Sequence, residues 1–248
     1  VTGCDPDYNT SQKILKELVK QGANVLEIGM PFSDPMADGP SIQKSNLRSL
    51  STGTNMKKIF RLVSDFRKKN KVTPIVLMGY LNPILSFGIE KFFKSAKNAG
   101  TDGLIVVDVP PEEDDEIFNT AKENNIDLIK LATPTTNSER LKKILKTCSG
   151  FLYYVSIKGI TGAKSADPKI VKNAINNIKK NTNIPVAVGF GIKGPKDAAV
   201  IADSGCDGIV VGSALVEIIE KSLKNKKSRH KVAQKIGRMV SKLKEQIA

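Results

Sequence analysis

Histidine is nearly absent from this sequence, which has a single one, His230, among its 248 residues. Catalytic triads, histidine bases and histidine-rich metal sites are therefore nearly excluded. His230 lies in a basic C-terminal segment, where we interpret it as a solvated helix residue. Cysteine is also scarce, since Cys4, Cys148 and Cys206 are odd in number and far apart. They predict neither a disulfide framework nor a metal site, and they favour a reducing cytoplasm.

Long hydrophobic runs are absent as well. No apolar stretch approaches the ~18 residues of a membrane span. The N-terminus lacks the charged start and the apolar core of a signal peptide. Because the chain begins with Val1 rather than Met, we expect a few N-terminal residues to be missing from this sequence.

Acidic residues are outnumbered by basic ones: the sequence has 25 acidic and 39 basic residues, and its net charge is +14. Such a balance suits an anionic substrate or nucleic acid. Nucleic-acid binding is disfavoured because the lysines are dispersed, aromatic residues make up only 5%, and no RNA-binding or zinc-finger signature occurs. The basic C-terminal segment has Val232, Ile236, Val240 and Leu243 at helical spacing, which predicts a packed helix with a solvated basic face.

Seven short runs rich in Val and Ile alternate with helical patterns. They are "NVLEIG" (24–29), "PIVLM" (74–78), "GLIVVDV" (103–109), "DLIKLA" (127–132), "FLYYVS" (151–156), "IPVAVGF" (184–190) and "DGIVVG" (207–212). Runs without polar alternation are typical of strands buried on both faces of a parallel sheet. "VTG" at residues 1–3 resembles the end of an eighth strand that is otherwise truncated.

Amphipathic segments fill the gaps between these runs, for example at 10–23 and 88–100. "NAGTDGLIVV" and "DSGCDGIVVG" each predict a helix that ends at Gly, a turn and then a strand. No linker marks a domain boundary. We therefore predict one (β/α)8 (TIM) barrel over residues 1–248, an α/β fold whose functional residues follow the C-terminal ends of its strands.

The loop after the first full run carries carboxylates. Glu27 lies near the end of that run, and Asp34 and Asp38 follow in a loop that three prolines stiffen. A carboxylate at a barrel mouth has a raised pKa, which suits proton transfer near neutral pH. The residues alone leave open whether Glu27 instead pairs with a lysine. The stiff loop could hold Asp38 opposite Glu27 or present a fixed shape to a partner.

Glycines follow the last two runs. Gly189 and Gly191 allow close backbone approach, and Gly212 precedes a helix for which Ser213 is a fitting N-cap. Glycine turns after the last two strands are typical of the phosphate site of such barrels. The long polar segment "SIKGITGAKSADP" after residue 155 has the composition of a mobile lid or of a plain surface loop.

Six motifs together resemble the tryptophan synthase alpha chain family. They are "LEIGMPFSDPMADGPSIQ" (26–43), "GYLNP" (79–83), "DVPPEE" (108–113), "GITGAK" (159–164), "GFGI" (189–192) and "VGSALV" (211–216). The motifs occur in the family's order and span nearly the whole chain. The resemblance implies a (β/α)8 lyase that cleaves indole-3-glycerol phosphate to indole and D-glyceraldehyde 3-phosphate in tryptophan biosynthesis.

The resemblance also implies roles for individual residues. Glu27 would be the general acid and base, and Asp38 would accept a hydrogen bond from the indole N–H. Substrate contacts are implied for Ile42, Leu77, Met78, Tyr153, Thr161, Gly162, Phe190, Gly191, Gly212 and Ser213. Contacts with a beta chain, in an alpha2-beta2 tetramer, are implied for Asp34, Pro35, Asn82 and Pro110. This subunit would need no metal or cofactor, because pyridoxal phosphate belongs to the beta chain.

Two departures from the family pattern stand out. The segment before "VTGCDP", which in the family holds an N-terminal helix and most of the first strand, is absent here. Some members carry Arg after the Ser of "SIKGITGAK", where this chain has Ile157 followed by Lys158. The alternatives are another phosphate-binding barrel, such as a ribulose-phosphate epimerase or decarboxylase relative, a free-standing indole-releasing lyase, or an inactive allosteric subunit. The motif "PFSDPMADGP" disfavours another phosphate-binding barrel. The retained "SDP" and "NP" disfavour a free-standing lyase. The presence of both Glu27 and Asp38 disfavours an inactive subunit.

Overall fold

The computed structural model describes residues 1–156, 167–189, 191–224 and 230–247. The described strands are β1 (Leu26–Gly29), β2 (Ile75–Gly79), β3 (Gly103–Val106), β4 (Asp127–Leu128), β5 (Lys130–Ala132), β6 (Leu152–Val155), β7 (Val186–Gly189) and β8 (Gly208–Val210). The described helices are α1 (Tyr8–Lys20), α2 (Pro40–Ser51), α3 (Met56–Arg67), α4 (Leu81–Phe87), α5 (Ile89–Ala99), α6 (Asp115–Glu123), α7 (Ser138–Lys146), α8 (Pro168–Lys179), α9 (Pro195–Ala202), α10 (Ser213–Lys224) and α11 (Val232–Ile247). None of these helices has both the length and the apolar character needed to cross a bilayer.

All pairings between the described strands are parallel, which confirms the predicted sheet type. The strand orders are β1-β2-β3-β4 and β5-β6-β7-β8, and Thr2 forms a parallel bridge to Gly29, where "VTG" was expected to pair. The predicted strand over 127–132 is instead divided at Ile129, whose N–H bonds to the carbonyl of Leu104. The chain therefore passes from one sheet to the next at this residue, and the helices between strands complete the predicted barrel.

Local sequence explains where several helices begin and end. Asp7 caps α1 by accepting a 2.8 Å hydrogen bond from the N–H of Thr10, and Pro40 occupies the first turn of α2, where its missing N–H costs nothing. Gly100 ends α5 in the left-handed conformation, with φ of 94°. The buried residues of α11 include all four that the helical spacing predicted to pack, namely Val232, Ile236, Val240 and Leu243.

Side chains of the strands alternate between two environments. Residues that point outward, such as Ile28 and Leu77, pack with the helices in a large outer core. Residues that point inward form a smaller cluster with Val76, Ile105 and Tyr153 at its centre. Because Glu27 lies between Leu26 and Ile28, its side chain points inward, towards the C-terminal mouth of the barrel.

Candidate active site

Glu27 lies next to Val76, a member of the inner cluster, in the register of β1 and β2. Its carboxylate lines a cavity of 430 Å³ at the mouth of the barrel. Burial raises the pKa of Glu27, and the nearby charge of Asp38 raises it further. The direction of this shift agrees with the prediction of a raised pKa, and a raised pKa favours a carboxyl group that can both hold and release a proton.

Asp38 follows β1 in the loop that leads to α2, and it lines the same cavity. The side chain of Asn46 donates a 3.2 Å hydrogen bond to its Oδ2 atom, and Gln43 donates one of 2.8 Å to its backbone carbonyl. Burial raises the pKa of Asp38, whereas hydrogen bonds to Asn46 and Tyr80 lower it. The carboxylate is therefore fixed in direction and partly shielded from solvent.

The cavity brings most of the predicted site together. Of the residues predicted to act or bind, it is lined by Glu27, Asp38, Ile42, Met78, Tyr153, Gly191, Gly212 and Ser213. Thr161, Gly162 and Phe190, with the departures at Ile157 and Lys158, lie outside the described residues. The two carboxylates and the glycine turns, which are far apart in sequence, therefore share one space.

Leu77 does not line this cavity. Its side chain is completely buried in the outer core, so its prediction as a wall of an indole pocket is wrong for this structure. Its neighbour Met78 points inward and lines the cavity, because successive side chains of a strand point to opposite faces. Ile42, Val107 and Val210 complete an apolar wall.

Tyr153 lies on β6 and is almost completely buried beside the carboxylates. Burial, followed by the charge of Glu27, raises its pKa well above the usual value. Its hydroxyl therefore stays protonated and can donate a hydrogen bond to Glu27 or to a substrate at this end of the cavity.

Another part of the cavity lining comes from the loops that follow β7 and β8. Gly191 and Lys193 contribute from the first loop, and Gly212 and Ser213 from the second. Gly212, and not Ser213 as predicted, occupies the N-cap position of α10, because its carbonyl accepts from the N–H of Val216 at 3.2 Å. Ser213 is thus the first helical residue, and the N–H groups of this first turn have no acceptor within the helix. Such a turn suits an anion.

Three residues of the site were missed at the sequence level. Tyr80 is buried, stacks near Phe32 with ring centroids 5.4 Å apart, and accepts a 3.0 Å hydrogen bond from the N–H of Ala37. Asn46 contacts Asp38, and Lys193 adds a positive charge near the glycine turns. Tyr80 stands in the quoted motif "GYLNP", which was the one available signal; nothing in the local sequence marked the other two.

The residues predicted to contact a partner follow the C-terminal ends of the strands, with Asn82 in the first turn of α4 and the other three on loops. Asp34, Asn82 and Pro110 are exposed, and the carboxylate of Asp108 accepts a 2.8 Å hydrogen bond from the N–H of Leu81, which ties the loop after β3 to the start of α4. Pro35 is buried, so its predicted contact is not available in this conformation. The loop turns here, with the N–H of Asp38 bonded to the carbonyl of Pro35 at 3.0 Å, and this turn leads the proline inward.

Metal ligands do not cluster in the part of the chain that the structure describes. No group of three His, Cys, Asp or Glu side chains there lies close enough to hold an ion. All three cysteines are free thiols, and two of them are buried.

Comparison with known proteins agrees with this geometry. The tryptophan synthase alpha chain family matches residues 1–248. A crystal structure of tryptophan synthase subunit alpha from Legionella pneumophila str. Paris is 37% identical and covers 100% of this chain and 90% of its own, with a TM-score of 0.91. A structure of the tryptophan synthase a2b2 complex from the hyperthermophile Pyrococcus furiosus is 38% identical and covers 99% and 96%, with a TM-score of 0.88. The chain therefore belongs to the tryptophan synthase alpha chain family.

Proposed function

We propose that this protein cleaves indole-3-glycerol phosphate to indole and D-glyceraldehyde 3-phosphate, the alpha reaction of tryptophan synthase. The observation that carries the proposal is a single cavity lined both by two carboxylates, those of Glu27 and Asp38, and by the glycine turns that follow β7 and β8. Its volume of 430 Å³ falls in the range of about 300–1,000 Å³ that is usual for small-molecule sites. The substrate combines the two groups that such a lining suits, an indole with a ring N–H and a phosphate.

Glu27 is positioned to move the protons that this cleavage requires. The bond between indole C3 and the glycerol carbon breaks when C3 gains a proton and the adjacent hydroxyl loses one, which leaves an aldehyde. A single carboxyl group with a raised pKa can serve both steps, first as an acid and then as a base. The protonated hydroxyl of Tyr153 lies beside it and can orient the glycerol part.

Asp38 supplies the complementary charge. When C3 takes up a proton, positive charge develops on the ring nitrogen, and a carboxylate fixed near the N–H stabilises that charge. The apolar wall of Ile42, Met78 and Val210 offers a surface for the flat ring. The first turn of α10 and the loop at Gly191, which also line the cavity, offer backbone N–H groups to the phosphate.

The proposal includes a beta-chain partner in an alpha2-beta2 tetramer that receives the indole. It is supported by the assembled Pyrococcus furiosus complex, whose alpha chain resembles this one. Asp34, Asn82 and Pro110 give the exposed surface around the mouth, and Leu85, which is 51% exposed, shares a face of α4 with Asn82. Pyridoxal phosphate would belong to the partner, and the alpha reaction itself draws on side chains alone.

We further propose that residues 1–248 act as one domain in the cytoplasm. Packing supports a single domain, because α11 contacts both α1 and α9 and so joins the two ends of the chain. The three free thiols favour a reducing compartment.

Indole release from indole-3-glycerol phosphate, measured with and without a beta chain, tests the proposal. We expect activity that rises with the partner and falls about 100- to 10,000-fold in Glu27→Gln. Glu123→Gln, an exposed carboxylate at the end of α6, is the matched control and should behave as the native protein. Full activity without a partner would favour a free-standing lyase, and an inactive native protein under both conditions would contradict the proposal.

A further inference from the structure

Helix α2 holds Asp38 at two points. From the second turn of the helix, Asn46 donates a 3.2 Å hydrogen bond to the carboxylate. From its first turn, Gln43 donates a 2.8 Å hydrogen bond to the carbonyl of the same residue. The third fixed point is Tyr80 at the end of β2, whose hydroxyl accepts from the N–H of Ala37 at 3.0 Å. Both the backbone and the side chain of Asp38 are thus constrained.

Asn46 is an unusual choice for its position. Asn46 is only 3% exposed, and it lies within α2, although asparagine is a poor helix former. Burial of an amide costs free energy unless its polar atoms are bonded. The side-chain amide of Asn46 donates to Asp38, so a buried donor is aimed at the carboxylate that would meet the indole N–H.

The helix that carries Asn46 is itself fixed to the start of the chain. Arg48 forms two 2.8 Å hydrogen bonds with Asp5, whose residue is 1% exposed. Ser49 donates a 2.6 Å bond to the carbonyl of Gly3, and the hydroxyls of Thr2 and Ser45 are 2.5 Å apart. These contacts fall on both sides of Asn46 along the helix, so they set the position from which it reaches Asp38.

We propose that Asn46 is a positioning residue for Asp38 and that the Asp5–Arg48 pair braces the helix from which it acts. The inference rests on the proposed function for its catalytic consequence. Its structural content, a carboxylate held by a buried amide, does not depend on the substrate. The role is distinct from general packing because it works through one hydrogen bond to one carboxylate.

A double-mutant cycle between Asn46 and Asp38 tests the proposal. Asn46→Leu removes the donor at similar size, and we expect kcat/KM for indole-3-glycerol phosphate to fall about tenfold, as for a lost bond to a charged group. In an Asp38→Asn background the same change should cost less than about twofold. Equal losses in both backgrounds would show a merely structural role and overturn the proposal. Leu47→Ala, on the exposed side of α2, is the control for disturbing the helix.

A second readout needs no substrate, so it separates this proposal from the proposed function. The bond from Asn46 favours the ionised form of Asp38 and lowers its pKa. Carbon-13 NMR of the Asp38 carboxyl should therefore report a higher pKa in Asn46→Leu than in the native protein, and Arg48→Met should shift it in the same direction by less. Should Asn46→Leu not fold, Asn46→Ala provides the same comparison. An unchanged pKa would overturn the proposal even if the native protein cleaves the substrate.

Discussion

The backbone of Gly189 lies directly against the phenol of Tyr153. A Cβ atom added at Gly189 would lie 2.2 Å from the hydroxyl oxygen and 2.6 Å from the ring carbon that carries it. Tyr153 is almost completely buried and cannot move aside without disturbing the inner cluster. Glycine at the end of β7 therefore allows the tyrosine to stand beside Glu27.

We expect Gly189→Ala to lose both stability and activity. The overpacking should cost about 1–3 kcal/mol of the free energy of unfolding, because neighbouring side chains or backbone must shift. Displacement of Tyr153 should also lower kcat. Denaturant unfolding and indole release measure the two effects. Gly208→Ala on β8 is the matched control, since its nearest contact would be an ordinary 3.9 Å from Ala187. Equal stability of the two variants would contradict the packing argument.

Glu27→Gln should stabilise the fold while it removes activity. Burial raises the pKa of Glu27 in the folded state above its ordinary value of 4.5, so the folded protein binds more protons than the unfolded chain between these values. Stability must then fall as pH rises through that range. Glutamine does not ionise, so the variant should gain stability relative to the native protein above the raised pKa and show no such gain below 4.5.

Thermal unfolding of native protein and Glu27→Gln from about pH 2 to pH 8 checks this expectation. Asp65→Asn is a control of opposite sign, because a hydrogen bond from Lys68 lowers the pKa of Asp65. That variant should lose a little stability at neutral pH. It should lose none at pH values below the pKa of Asp65 in both the folded and the unfolded state. A Glu27 variant without any gain at pH 8 would show that the carboxylate is not desolvated.

The sequence predicted the barrel and most of its mouth because short apolar runs mark where strands end. The resemblance placed both Leu77 and Met78 at the indole, and only Met78 lines the cavity. An unbroken apolar run contains no alternation from which to infer which side chain points inward. The contacts of Asn46 and Tyr80 depend on how α2 and the loop before it pack on β2, which local patterns do not encode. The burial of Pro35 and the division at Ile129 arise from tertiary packing in the same way.

Lys193 should strengthen substrate binding through charge. It lines the cavity together with Lys221. Lys221 is paired with Glu217 at 3.5 Å, whereas Lys193 forms no ion pair within the part of the chain that the structure describes. We expect Lys193→Met to raise KM about two- to fivefold, the size of an exposed charge interaction, with little change in kcat. Steady-state kinetics at low and high salt measure the change in KM. Lys196→Met, at an exposed position of α9, is the control. A fall in kcat at unchanged KM would contradict a binding role.

Asp34 should affect the affinity for a beta chain and leave the rate of indole release without the partner unchanged. It is exposed on the loop between Glu27 and Asp38, with the 79%-exposed side chain of Met36 two residues away. Charge reversal in Asp34→Lys should weaken association with a beta chain about tenfold or more, because a like charge at an interface is costly. Glu123→Lys makes the same change at the C-terminal end of α6, on the face of the barrel opposite the mouth, and should bind normally. Titration calorimetry gives both affinities, and partner-free indole release reports any damage to the site. Equal affinity of Asp34→Lys and Glu123→Lys would place the partner elsewhere on the surface.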